Sequence, residues 1–293
     1  MTPRQRQIGA IFGLTAPAYF WLTITIFLPL AAMLYCSVLT ISPLIPEPSQ
    51  FTLRNYIAFF QKSFYLPLTW RSVGLGFWTT FFCFLVGYPA AYGLAKRIKG
   101  RWREALFLLV VLPFWSNGLV RIFSWTMVLR EGGLLDIVLH KVIPGAPSIA
   151  FLFTYPAVVV GLVHSYVPYM ILTCYISLQS IDDTLMEAAR SLGAHNWTVF
   201  RRVVFPLSLP GVLSGSILIF VPVIGSFMEP RILGGAKGAS LGMTIEEQFT
   251  VTANWPLGAA LAFTLLALVL FILGACYGIA VLHRKWEERR VSA

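Results

Sequence analysis

Long apolar runs alternate with short polar or proline-rich segments along the whole chain. Crossing ~30 Å of hydrocarbon takes about 20 mostly apolar residues. Six runs have that length, at residues 11–39, 72–95, 105–129, 156–178, 209–228 and 256–282. The pattern predicts an all-α integral membrane protein with six transmembrane helices in one domain, residues 1–293. Pro17 and Pro29 are placed to bend the first helix, because proline lacks an N–H and its ring meets the preceding turn. Asn254 is placed to cap the sixth. After the first run, Phe51–Phe60 reads FTLRNYIAFF, a short amphipathic helix. Residues 142–153 are a shorter apolar stretch, expected as a loop helix at the interface.

The most informative polar segment is residues 180–210, between the fourth and fifth runs. Asp182 and Asp183, after Ser180, suit a helix N-terminus, where a carboxylate accepts from open N–H groups and meets the positive end of the dipole. Leu185, Met186, Ala189 and Leu192 follow at helical spacing. Gly193 stops that helix, since glycine enters the left-handed cap conformation without steric cost. Asn196 is placed to cap a second helix from Trp197 onward, and Pro206 and Pro210 to break it before the fifth run. Gly211 and Gly215, at the start of that run, favour close helix approach.

Composition supports the membrane reading. The chain is 57% hydrophobic and 12% charged, against roughly 25% charged in soluble domains. A net charge of +10 invites a nucleic-acid reading, but no basic run is interleaved with exposed aromatics, and no nucleic acid is expected. The basic residues instead set orientation, because Lys and Arg accumulate on the cytosolic side. With the N-terminus inside, Arg4, Arg6, the cluster from Lys96 to Arg103, Arg190, Arg201, Arg202 and the cluster from Arg284 to Arg290 all fall inside. Both termini and the 180–210 loop are then cytosolic. The uncharged run between Arg6 and Glu47 exceeds a signal-peptide core and reads as a retained anchor.

Little in the chain is chemical. Cys36, Cys83, Cys174 and Cys276 are isolated within apolar runs, and the four histidines lack metal spacing, so neither disulfide frame nor metal site is expected. The sequence GGAKGAS at 234–240 lacks the GK[ST] ending of a phosphate-binding loop and is expected to be a flexible extracytoplasmic loop. With no such loop and no catalytic constellation, the chain is expected to be no enzyme and to hold no cofactor. Any ATP is bound by a separate subunit. Arg121, in the third run, is expected to pair with an acid or to reach the headgroups.

A family resemblance gathers these observations. Glu187, Ala188 and Ala189, then Gly193, Val203 and Pro206, reproduce the spacing of the EAA loop of ABC importer permeases, with Phe205 where that family usually has leucine. FTLRNYIAFF, LPFWSNGLVRIFSW, GSFMEPRILGG and NWPLGAALA resemble the spermidine/putrescine, or polyamine, branch, over most of the chain from about Pro29 to Leu282. The resemblance implies a MetI-like permease fold in a bacterial inner (plasma) membrane. It implies two copies of an ATP-binding subunit, a second homologous permease subunit, an extracytoplasmic solute-binding protein and surrounding membrane lipid. Glu187, Ala188, Ala189, Gly193, Ala194 and Pro206 would couple to the ATPase. The implied function is the permease subunit of an ATP-driven importer of a small cationic solute, spermidine or putrescine first. The alternatives are another small solute, such as an amino-acid derivative or opine, or an ion-coupled secondary transporter. Against the last, the spans are nearly free of acids. Trp115, Tyr169, Phe227 and Glu229 are the candidate pathway residues. Glu229, at the expected outer end of the fifth span, is an acid for an amine, with Phe227 offering a ring face. Pairing with Arg231, or a solvated position, is its alternative.

Overall fold

Prolines that should end helices are instead carried within them, and the chain breaks where a cap replaces the ladder. The computed structural model describes residues 3–43, 45–143 and 150–291, with the backbone alone for 3–14 and 279–291. In chain order the helices are α1 (Pro3–Ser37), α2 (Arg54–Gln61), α3 (Tyr65–Tyr92), α4 (Arg101–Val111), α5 (Gly118–Leu129), α6 (Leu134–Val142), α7 (Tyr155–Gln179), α8 (Asp183–Ser191), α9 (Asn196–Val199), α10 (Phe205–Ile224), α11 (Met228–Gly234), α12 (Leu241–Thr250) and α13 (Trp255–Val291). Two compact units result, one of Met1–Ser63 with Ile245–Ala293 and one of Phe64–Thr244.

In the first unit α1 packs on α13, and α2 on α13. The exposed face of α1 carries Phe20, Trp21, Phe27 and Leu28, side chains suited to lipid. The expected helix in FTLRNYIAFF is α2. It is tied back to the end of α1, where Asn55 Nδ2 donates to the carbonyls of Ser37 at 3.1 Å and Leu39 at 2.9 Å. Asn254 caps α13 as expected, accepting from the Leu257 N–H at 3.3 Å.

In the second unit α7 is the central helix, packed on both α3 and α10. Leu162, Met170, Cys174 and Leu178 of α7 are fully buried. Glycine permits the approach of α10. A Cβ at Gly211 would lie 2.6 Å from the carbonyl oxygen of Thr173, and one at Gly215 would meet the Thr173 hydroxyl.

Five helices are long and apolar enough to cross a membrane: Thr15–Ser37, Tyr65–Arg97, Tyr155–Gln179, Asn196–Ile224 and Trp255–Gly278. The expected third span, 105–129, is not a single helix. Its segments Arg101–Trp115 and Gly118–Val142 meet at a bend of 96°. Pro113 lies in a tight turn at Leu112–Trp115, and Asn117 then starts a new helix by accepting from the Leu119 N–H at 2.8 Å. The helical body also continues to α6, beyond the apolar run that ends at Leu129.

The fifth span needs three corrections. Pro206 and Pro210 do not break it, and both lie inside a helical body that runs from Asn196 to Ile224. A π-turn at Phe200–Val204 joins α9 to α10, with the Phe205 N–H reaching the Phe200 carbonyl. The helix passes Pro222 and ends at Ile224, so Glu229 belongs to the separate α11 rather than to the span. The glycine-rich segment is likewise no free loop. Gly238 is buried against the Pro230 carbonyl, Arg71 donates to the Lys237 carbonyl, and the Leu241 N–H donates to Ser72 Oγ at 2.9 Å. Within the expected loop helix at 142–153, residues 144–149 lie outside the described residues.

Candidate functional site

The polar loop between α7 and α10 is built by two capping devices. Asp182 accepts from the Thr184 N–H at 2.9 Å and starts α8. That backbone hydrogen bond holds the Asp182 carboxyl below the usual carboxylate range. Because the shift is downward, the cap persists through neutral pH and is lost only as pH falls through the lowered value. At the other end Gly193 has φ +82°. Its N–H donates to the Arg190 carbonyl at 2.9 Å, and the Ala194 N–H to that of Ala189 at 3.1 Å. This is the Schellman pair, and it satisfies two of the open carbonyls of α8. The next cap is one residue earlier than expected. His195 accepts from the Trp197 N–H at 3.3 Å, which frees the Asn196 side chain to accept from Arg190 Nε at 3.2 Å.

The expected coupling residues divide by exposure. Glu187, Ala188 and Pro206 are exposed, whereas Ala189 and Ala194 are half-buried and pack against the core. Small side chains there let the loop lie close to the helices beneath it. Met186 and Val199 are buried anchors. The outward face carries residues the sequence reading did not place on it, with Leu192 89% and Trp197 64% exposed.

Lys96 joins this loop to α3. It sits in a π-turn at Gly93–Arg97, with its side chain only 6% exposed, and donates to the Ile181 carbonyl at 2.6 Å and to Asp183 Oδ1 at 2.7 Å. Beside it a cleft of about 270 Å³ is lined by Tyr92, Glu187, Arg190 and Phe200 among others. Hydrogen bonds from a buried cation contribute about 1–2 kcal/mol when one partner is solvated, or a factor of about 5–30 in a local opening equilibrium. Lys96→Met is therefore expected to speed tryptic cleavage after Arg190 in membrane vesicles by about that factor. Cleavage at the wild-type rate would show that other contacts hold the loop.

The candidate pathway residues are only partly brought together. Glu229, half-buried at the start of α11, accepts from Ser226 Oγ at 2.6 Å. Tyr166 of α7 lies within electrostatic range of both Glu229 and Arg121. Its ring is 5.9 Å from that of Tyr169, which in turn meets Phe114 edge-on at 4.8 Å. Trp115 stands apart from this row and is 83% exposed. Phe227 is half-buried at the N-cap position of α11. Arg121 turns inward: its Nε and Nη1 are buried and make no hydrogen bond among the described residues. Sequence reading missed Tyr166, Phe114, Ser226 and Lys96. The signal for Tyr166 was its separation of three from Tyr169, which puts both on one helix face.

Comparison with known proteins agrees with this architecture. Over 257 residues the chain is 36% identical to the spermidine/putrescine transport system permease protein PotB of Haemophilus influenzae, covering 87% of this chain and 89% of that protein. It is 35% identical over 245 residues to PotB of Escherichia coli K12, covering 84% and 88%. Among solved structures, a chain of a bacterial alginate ABC transporter superposes with a TM-score of 0.74 at 15% identity, covering 91% of this chain and 93% of that one. At that identity the likeness concerns the fold. Residues 83–284 match the family described as binding-protein-dependent transport system inner membrane component. The chain therefore belongs to the binding-protein-dependent inner membrane permeases, and is a transport subunit built on the ABC importer permease fold.

Proposed function

We propose that this permease forms part of the pathway of an ATP-driven importer for a small polyamine, and that Glu229 meets an ammonium group of the solute. The observation that carries the reading is the position of Glu229. It is a half-buried acid held by Ser226 and within electrostatic range of Tyr166, five residues beyond a helical body that runs unbroken from the polar loop, Asn196–Ile224. A carboxylate beside aromatic rings suits an alkylammonium, since partial burial strengthens the Coulomb attraction and ring faces add about 0.5–2 kcal/mol. The relatives named for spermidine and putrescine support the solute class. The extracytoplasmic binding protein delivers the solute, and a second homologous permease completes the pathway. Two ATP-binding subunits drive transport, one of them docking on the loop bearing Glu187, Ala188, Leu192 and Trp197. The basic clusters support a cytosolic position for this loop and both termini.

The test is uptake of labelled putrescine and spermidine by the assembled transporter in proteoliposomes. Glu229→Gln is expected to lower uptake at least tenfold while ATP hydrolysis stimulated by the binding protein persists. Unchanged uptake would remove Glu229 from the pathway. Loss of the stimulated hydrolysis as well would mean that the substitution damages assembly.

A further inference from the structure

Arg121 is a half-buried charge with no use in the mechanism above. Its Nε and Nη1 find no hydrogen-bond acceptor among the described residues. Leaving a guanidinium so is unfavourable, and an acceptor reached by a change of rotamer relieves it. The acids of the second unit narrow the choice. Glu104, on α4, and Glu131, beyond the end of α5, are exposed, and Asp182, Asp183 and Glu187 belong to the polar loop. Asp136 already accepts from the Gly132 N–H at 3.1 Å and faces His140. Glu229, in contrast, lies on α11, which packs against both α5 and α7.

The backbone brings the two within reach. The Leu152 N–H donates to the Leu129 carbonyl at the end of α5, and the adjacent Phe153 N–H to the Leu233 carbonyl near the end of α11. The two helices therefore finish side by side. Arg121 precedes Leu129 by eight residues and Glu229 precedes Leu233 by four. At ~1.5 Å per residue the offset along the helices is about 6 Å, and packed helices lie ~8–10 Å apart axis to axis, a separation that the arginine and glutamate side chains, one from each helix, can close together by a change of rotamer.

We propose that Arg121 is an internal stand-in for the solute's ammonium: it pairs with Glu229 while the pathway is empty and yields that carboxylate to an arriving cation. This rests on the reading of Glu229 as a solute contact. The pair keeps a bare acid from holding the solute too tightly for release. Its occupancy reduces the fraction of transporters competent to bind, which weakens apparent affinity by the same factor. Arg121 is thus a residue that sets affinity without touching the solute.

Labelled putrescine uptake by the assembled transporter in proteoliposomes tests the idea, with half-saturation and maximal rate measured separately. Arg121→Gln is expected to lower the half-saturating concentration about tenfold, within the usual range of coupling between two sites, and to lower the maximal rate. Arg121→Lys, which keeps the charge, is expected to stay near wild type. In Arg121→Gln with Glu229→Gln the tightening should vanish, because the shared carboxylate is gone. An unchanged or raised half-saturating concentration in Arg121→Gln would overturn the stand-in while leaving Glu229 on the pathway. So would equal loss of rate and thermal stability in the Gln and Lys variants, which would assign Arg121 to packing. Normal uptake by Glu229→Gln alone would instead overturn the reading of Glu229 on which the pair depends.

Discussion

Gly193→Val is expected to abolish energised uptake while leaving the permease in the membrane. At φ +82° a residue with a Cβ strains against its own carbonyl, at about 1–2 kcal/mol and more when β-branched. Nothing lies within 4 Å of where the Cβ would stand, so the penalty belongs to the backbone and crowding adds nothing. The strain falls on the two hydrogen bonds that end α8, and releasing them turns Leu192 and Trp197 away from their present directions. The expected order of activity is Gly, then Asn, then Ala, then Val, because asparagine visits the left-handed region most readily of the three replacements. Capture of the ATP-binding subunit by tagged permease from detergent extracts should follow the same order. Equal capture and uptake by all four variants would show that the loop docks without the left-handed turn.

Gly211→Ala should destabilise the second unit by about 1–3 kcal/mol, the usual cost of forcing atoms into a packed interior. The added Cβ would come to 2.6 Å from the Thr173 carbonyl oxygen, and a backbone atom in a helix cannot turn aside as a flexible side chain can. Gly211→Leu should prevent α10 from seating on α7 and leave no folded permease to purify. Gly274→Ala is the matched control. That glycine lies in α13 with nothing within 4 Å, so alanine there gains helix propensity of up to about 1 kcal/mol at no steric cost. Thermal inactivation in detergent distinguishes the two. Similar midpoints for the alanine variants would mean that the α7–α10 seam relaxes to accept a methyl group.

The sequence makes the helices, the polar loop and its glycine turn legible because each depends on local chemistry: run length, a capping side chain, a backbone that only glycine tolerates. The break at Ser116–Asn117 was harder to see, since hydropathy continues through it. The clue was Pro113 followed by Asn117, a stop and a start only four residues apart. Pro206 misled in the opposite sense. A proline reads as an end unless a wide turn precedes it, and a π-turn has no signature in composition. Exposure within the loop was also hidden. Periodicity set Leu192 with Ala189 on one face, but the Schellman turn swings Leu192 outward while Ala189 stays in contact with the core. The row Phe114, Tyr169, Tyr166 comes from separate stretches of the chain, and only packing assembles it.

The π-turn at Phe200–Val204 lies between the loop and the regular winding of α10. A π-turn is an α-helical turn with one residue added, so it takes one more residue for a turn than the ~3.6 of regular winding. Deleting one residue there would restore regular winding with the bearing of Glu187 and Leu192 nearly unchanged. Deleting one from the regular winding of α10 would instead rotate them by about 100°. The π-turn is therefore where a change of length by one residue is absorbed, and the regular turns after it are where it is not.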